Sequence, residues 1–451
     1  MLSRRQAVLT FGGVAATAAL ALTGCSPSVP GSGGGAAKPA TQAEIDKALN
    51  TATTITFWTW VPDIQKEIDI FTAKYPKITV KLVNTTGGAQ HYPKLRSALK
   101  AGKGIPDVAQ MEYQNISSFT QTKSLANLAP YGAAKEQDKY VDWVWKQVAY
   151  NDGVWGIPQD TGPLGTLYRK DIFDKAGVTE APATWADFAT AAAAIKSKTG
   201  SFITNIPTSD AANWYGFFWQ AGAKPFSFDG KKTVGIDLDS TDTQKVIDFW
   251  QGLIDKNLVA TDADFTDEFY QGLSRGKYAS WIVAAWGPIF LQGTAKNTSG
   301  KWRAGKIPQW QAGQDVSGNW GGSTDAVMEA SQNKLVAYEF AKFLNTNRES
   351  ALKLANEQFL FPPTKEILAS PDFTDQKSAF YGGQQVNKFF AEVSDTVDKD
   401  FQWLPFMDYV NSSFTDTLGK AVGSHGNLRA GLTAWQNQVV TYAKQQGFTV
   451  K

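Results

Sequence analysis

Between residues 54 and 113 three short strand-like runs alternate with two amphipathic ones. "TITFWTW" is β-branched and aromatic, "IQKEIDIFTAKY" has helical periodicity, and "KITVKLVN" alternates polar with apolar residues. "YPKLRSALKAGKG" is a helix pattern closed by glycine, and "PDVAQMEY" is a third short strand. The β-α-β-α-β order predicts parallel strands joined by helical crossovers, an α/β fold, because parallel neighbours need a long connection that a helix supplies. Ligands of such sheets bind where loops converge at the carboxyl ends of the strands. Trp58 and Trp60 fall at the end of the first run, and Glu112 and Tyr113 at the end of the third.

The same mixture continues along the chain. Thr41-Gln42-Ala43-Glu44 fits a capping box and predicts a short helix. "TWADFATAAAAIKSKTG" predicts a helix capped by Thr184 with Gly200 past its end, and "TDTQKVIDFWQGLIDKNL" one opened by Thr-x-x-Gln. "NKLVAYEFAKFLN" places Val336, Phe340, Phe343 and Leu344 on one helical face. No repeat of fixed period is present.

The amino-terminal segment has a different logic. The basic pair Arg4 and Arg5 precedes a short apolar stretch that ends in Leu22-Thr23-Gly24-Cys25, and Cys25 is the only cysteine of 451 residues. A basic head, an apolar run below the ~20 residues of a bilayer span and a small-residue end describe an export signal. The ending resembles a lipoprotein lipobox, which implies cleavage after residue 24 and a diacylglycerol on Cys25. "SRRQAVL" resembles a twin-arginine signal, and the general secretory route stays open beside it. Residues 25–42, rich in Pro, Gly and Ser, are expected to form a flexible tether.

The chain carries 44 basic and 42 acidic residues, and loss of Arg4 and Arg5 with the signal makes the two equal. That balance argues against a nucleic-acid partner, which requires a clustered basic face. Two histidines and no CxxC or HExxH leave no metal motif, and no cofactor is expected. "DLDSTD" lacks the glycine and glutamate of a calcium loop at the required spacing. Tryptophan is abundant, 16 in all, with several in loop-like surroundings rich in Gly, Asn or Pro: "FWTWVPD", "DAANWYGFFW", "VAAWGPIF" and "SGNWGGST". Flat indole faces with a polar edge suit the C–H faces of pyranose rings. Trp143, Trp145, Trp185 and Trp250 have helical spacing and are expected in the core.

In order and spacing, "ITFWTW", "YPKLRSALKAGKGIPDVAQMEY", "DGVWGIPQDTGPLGTLYRKDIFDKAGV", "GLSRGKYASWIVAAWGP", "GNWGGSTDAVMEASQNKLVAYEFAKFL" and "ANEQFLFPPTKEIL" resemble the extracellular solute-binding proteins of carbohydrate ABC importers, the family that includes maltose-binding protein. The resemblance implies the periplasmic-binding-protein type II fold, two α/β lobes closing on a ligand cleft by hinge bending. It implies a first lobe of residues 53–161 and 280–323 and a second of 162–279 and 324–451. It also implies a monomer with an oligosaccharide as ligand and a permease as partner. The lipobox and twin-arginine-like signal on such a protein imply a lipid-anchored place on the outer face of a Gram-positive cell membrane. The ligand residues expected are Trp58, Trp60, Trp214, Trp286, Trp320, Phe359 and Trp403 as stacking faces, and Gln90, His91, Glu112 and Asp160 as polar partners. Gly321 and Gly322 are expected to shape the return crossover. A surface glycoside hydrolase would use two carboxylates ~5–9.5 Å apart, and Glu112 and Asp160 are the pair such a reading would need.

Overall fold

The computed structural model describes residues 39–85 and 87–451. The expected signal, Cys25 and most of the expected tether lie outside them. The first helix, Gln42–Leu49, has the anticipated capping box, with Thr41 Oγ1 accepting from the Glu44 N–H and Glu44 Oε2 accepting from the Thr41 N–H. The Ala40 N–H donates to the Pro130 carbonyl at 3.0 Å, so the last residues of the expected tether are already part of the fold.

The three predicted strands form as Thr53–Thr59, Ile78–Asn84 and Val108–Glu112, with Thr53–Thr59 paired parallel to both others. Two antiparallel strands extend the sheet to the order Ile78–Asn84, Thr53–Thr59, Val108–Glu112, Ser323–Val327, Ile157–Asp160. Helix Gln65–Lys74 makes the first crossover. The second, Gly87–Ala101, starts earlier than its sequence pattern suggests and runs through Pro93.

A second sheet holds Leu164–Arg169 between antiparallel Ser280–Ala284 and Trp302–Lys306. A small third sheet joins Phe226–Phe228, Thr233–Ile236 and Thr449–Val450. Around these pack helices Trp185–Thr199, with its Thr184–Asp187 capping box, and Thr241–Asp255, whose cap is Ser240 rather than Thr241. Trp143, Trp145, Trp185 and Trp250 are all buried. "DAANWYGFFW" is no loop: Ala211–Gln220 is a helix capped by Asp210.

The pairing corrects the expected division of the chain. The expected first lobe includes residues 280–323, yet Ser280–Ala284 and Trp302–Lys306 hydrogen-bond to the two sides of Leu164–Arg169 in the second sheet. The expected second lobe includes the residues from 324, yet Ser323–Val327 fills the slot between Val108–Glu112 and Ile157–Asp160. Helix Lys334–Thr346 follows it there, because Phe340 packs edge-on to Phe57 and Phe71, and Phe343 to Phe71, at 5.1–5.3 Å. Hydrophobic period gives a helix its face but not the sheet that face will cover.

Two crossings between the sheets run side by side. The Gly162 N–H donates to Asn319 Oδ1 at 2.9 Å, and the Trp320 N–H to the Gly162 carbonyl at 2.8 Å. A Cβ on Gly162 would lie 2.0 Å from the Trp320 carbonyl oxygen, so only glycine permits this approach.

Candidate cleft between the two sheets

At these crossings, beyond the carboxyl ends of Thr53–Thr59, Val108–Glu112 and Ile157–Asp160, lies a cavity of about 340 Å³. Its apolar faces are Trp60, Trp286 and Trp320, and its carboxylates are Glu112, Asp160 and Asp210. Gln114, Ser209 and Asn411 add neutral polar groups, and no lysine, arginine or histidine lines it.

Each side chain is placed by a local device. The Trp60 N–H donates to Gln110 Oε1 at 3.1 Å as the chain leaves its strand. Glu112 is the last strand residue before helix Tyr113–Gln121, and its Oε2 accepts from the Tyr92 hydroxyl at 3.1 Å. Asp160 Oδ1 accepts from the Ser323 hydroxyl, while the Tyr113 hydroxyl donates to the Asp160 carbonyl at 2.9 Å. Asp210 caps its helix through the Ala212 N–H at 2.7 Å. Trp286, at the start of helix Gly287–Thr294, donates its Nε1–H to the Trp320 carbonyl at 3.0 Å. Gly321 and Gly322 follow with φ of +81° and +93°, and a Cβ on Gly322 would meet Tyr113 at 2.8 Å and the Asp160 carbonyl at 2.9 Å.

Burial raises the carboxylates. It pushes Asp160 up to about 6, against the Ser323 hydroxyl, which favours the charged form. Asp210 rises to about 7 through burial and the charge of Asp264, with Glu112 adding to it. Glu112 is raised by burial and by Asp160. The cavity therefore offers strong hydrogen-bond acceptors beside flat aromatic faces, a combination suited to a polyhydroxylated ligand. Among the described residues no group of His, Cys, Asp and Glu is arranged to hold a metal ion.

Residues 52–351 match the profile of the bacterial extracellular solute-binding protein family. The chain belongs to that family. Its relatives include an arabinooligosaccharide-binding protein of Halalkalibacterium halodurans, 26% identical over 373 residues that cover 78% of this chain and 81% of the relative. A lactose-binding protein of Rhizobium radiobacter is 26% identical over 394 residues, covering 82% and 86%. Among solved structures, an ABC transporter-associated binding protein of B. animalis subsp. lactis in complex with β-1,6-galactobiose superposes with a TM-score of 0.77 at 31% identity, covering 89% of this chain and all of that one. The sugar-binding protein MalE of Xanthomonas citri shares the fold at a TM-score of 0.72 and 18% identity. This solute-binding protein has the two-lobe α/β fold and is not an enzyme.

The cleft of the solute-binding protein gathers five of the expected residues: Trp60, Glu112, Asp160, Trp286 and Trp320. Phe359 lies outside it, 46% exposed on the wall of a neighbouring cavity. Trp58 is buried in its strand under the Lys94 ammonium, 4.5 Å from the ring centroid. His91 is fully buried, bonds Thr85 through Nδ1 at 3.0 Å, and is pushed down to about 4 by that burial. Its side chain is part of the core and does not line the cleft. Gln90 is exposed on the same helix and is not among the cleft-lining residues. Trp214 is fully buried with its Nε1–H on the Pro207 carbonyl, and Trp403 donates to Gln147 Oε1 at 2.6 Å beside a different cavity.

Asp210, Ser209, Gln114 and Asn411 escaped the sequence reading. Ser-Asp before an apolar helix is a legible cap signal for Asp210. Its place opposite Glu112 depends on the packing of two sheets and has no local signal.

Proposed function

We propose that the protein captures an oligosaccharide outside the cell in this cleft and delivers it to an ABC permease. The observation that carries the reading is the convergence of three indoles and three carboxylates on one cavity free of cationic side chains. The names of the relatives, arabinooligosaccharide-binding and lactose-binding, and the galactobiose complex at 31% identity support a sugar ligand.

In this reading one lobe is built on the first sheet, residues 39–161 and 323–356, and the other on the second and third sheets. Trp60, Glu112 and Asp160 then face Asp210, Trp286 and Asn411 across the cleft. A ligand touching both sides favours the closed state by its differential affinity for it. The lipobox at Cys25 supplies the anchor, and two acyl chains suffice for stable attachment. Among the described residues no helix is long and apolar enough to cross a membrane.

Isothermal titration calorimetry of the signal-free protein against arabino- and galacto-oligosaccharides tests the capture step. One-to-one binding at micromolar Kd or tighter, with the sugar recovered intact, is expected. Silence across the panel would overturn the carbohydrate reading. For the anchor, Cys25→Ser should move the protein from the membrane fraction to the medium.

A further inference from the structure

A second cavity, of about 400 Å³, meets the cleft at Trp286, which lines both. One wall is helix Gly287–Thr294, with Pro288, Ile289 and Gln292; the facing wall is Asn356 and Phe359, and Gln376 and Lys377 complete it. Unlike the cleft, this chamber has no carboxylate in its lining; its polar groups are amides, a hydroxyl and one ammonium.

Among the described residues three large apolar side chains are exposed, Phe265, Phe290 and Phe359, at 45–49%. All three gather around Trp286. The Phe265 and Phe290 rings lie 6.0 and 5.8 Å from it, and Phe359 shares the chamber with it. Phe265 and Phe359 also hold φ of +58° and +59°, a left-handed conformation that bulky residues seldom adopt. Exposed rings in an uncommon backbone state, collected around one indole, mark a binding surface rather than scattered surface residues.

We propose that the chamber is an outer subsite for the same ligand: an oligosaccharide whose inner units fill the carboxylate-lined cleft passes the Trp286 edge and lays its outer units between Phe359 and helix Gly287–Thr294. This rests on the sugar reading of the cleft and extends it to ligand length. The shared Trp286 selects the occupant, because the ring that borders a sugar seated in the cleft also borders the chamber. The chemistry agrees, since amides both donate to and accept from hydroxyls and the phenyl ring offers a stacking face. Each cavity alone is near the lower end of the ~300–1,000 Å³ of ligand sites, and the two in series suit an elongated ligand.

The test is calorimetry of the signal-free protein with two series, α-1,5-arabino-oligosaccharides and β-galacto-oligosaccharides, from disaccharide to hexasaccharide. In the series that binds, affinity should rise about tenfold beyond the disaccharide, the scale of one well-packed contact. Phe359→Ala should remove most of that gain. The double variant Gln292→Ala/Lys377→Ala should weaken the longer sugars about fivefold and leave the disaccharide within twofold. Affinity that is flat with length, or variants that weaken the disaccharide as much as the hexasaccharide, would overturn the outer subsite while the cleft reading stands. Absence of binding by every sugar would overturn both.

Discussion

The Trp286 indole and the Trp320 backbone are tied: Nε1–H to carbonyl oxygen at 3.0 Å, with the two rings edge to face at 5.0 Å between centroids. The bond joins a helix start of the second sheet to the crossing that returns to the first. It fixes the ring that lines both the cleft and the outer chamber.

Trp286→Phe keeps an aromatic face but removes the donor, leaving the Trp320 carbonyl without this partner. Loss of one such bond costs about 1 kcal/mol of stability, so the melting temperature should fall while sugar affinity falls less than in Trp286→Ala. Trp286→Ala removes the face as well and should cost about 2 kcal/mol or more of binding energy. Calorimetry on the two variants separates the bond from the ring.

The raised carboxylates make stability depend on pH. A carboxyl whose folded pKa is above its unfolded value stabilises the fold below the unfolded value and loses that contribution as pH rises through the folded one. Asp210 and Asp325 stand at about 7 and Asp160 at about 6. The melting temperature of the ligand-free protein should therefore rise as pH is lowered from 8 to about 6.5, the unperturbed histidine value. Below that, buried His91, pushed down to about 4, opposes the trend because its unfolded form takes up the proton first. Scanning calorimetry across pH 5–8 should show the slope, and Asp210→Asn should reduce it.

Sugar affinity should move the opposite way. Hydroxyls donate to ionised carboxylates, and such bonds are roughly twice as strong as neutral ones. Protonating Asp160 and Asp210 weakens the acceptors, so Kd should increase as pH falls from 8 to 5.5. An affinity constant over that range would show that these carboxylates do not accept from the ligand.

Gly162→Ala places a methyl group against the Trp320 carbonyl, where the built Cβ is 2.0 Å away. The crossings must separate to admit it, and overpacking of this kind costs about 1–3 kcal/mol. Urea unfolding should show that loss, with weakened sugar binding, because Trp320 moves with the crossing.

Trp214→Phe provides the contrast. Trp214 is fully buried among Phe217, Phe218 and Phe414 and does not line the cleft. The smaller ring leaves a cavity and orphans the Pro207 carbonyl, so stability should drop by about 1–3 kcal/mol. Sugar affinity of the folded protein should stay within twofold by calorimetry.

How much of this was written in the sequence follows the range of each interaction. Capping boxes at Thr41 and Thr184, the β-α-β-α-β order and the buried faces of Trp185 and Trp250 are decided within a few residues of chain, and they were legible. Trp60 and Glu112 were legible for a related reason: each sits at or just past the end of a strand whose pattern is local, and ligands of α/β sheets gather there. Asp160 was legible only through the family resemblance of the stretch around it. Tertiary structure alone decided that Ser280–Ala284 joins the second sheet and Ser323–Val327 the first, because neither run carries a local signal for which sheet has a vacant row of hydrogen-bonding groups. It alone brought Asp210 and Asn411 to the same cavity as Glu112, and it alone buried Trp214 and His91 while leaving Trp286 half-open. An indole or imidazole has the same local pattern in a core as in a cleft. What distinguishes them is whether a distant segment packs over the ring.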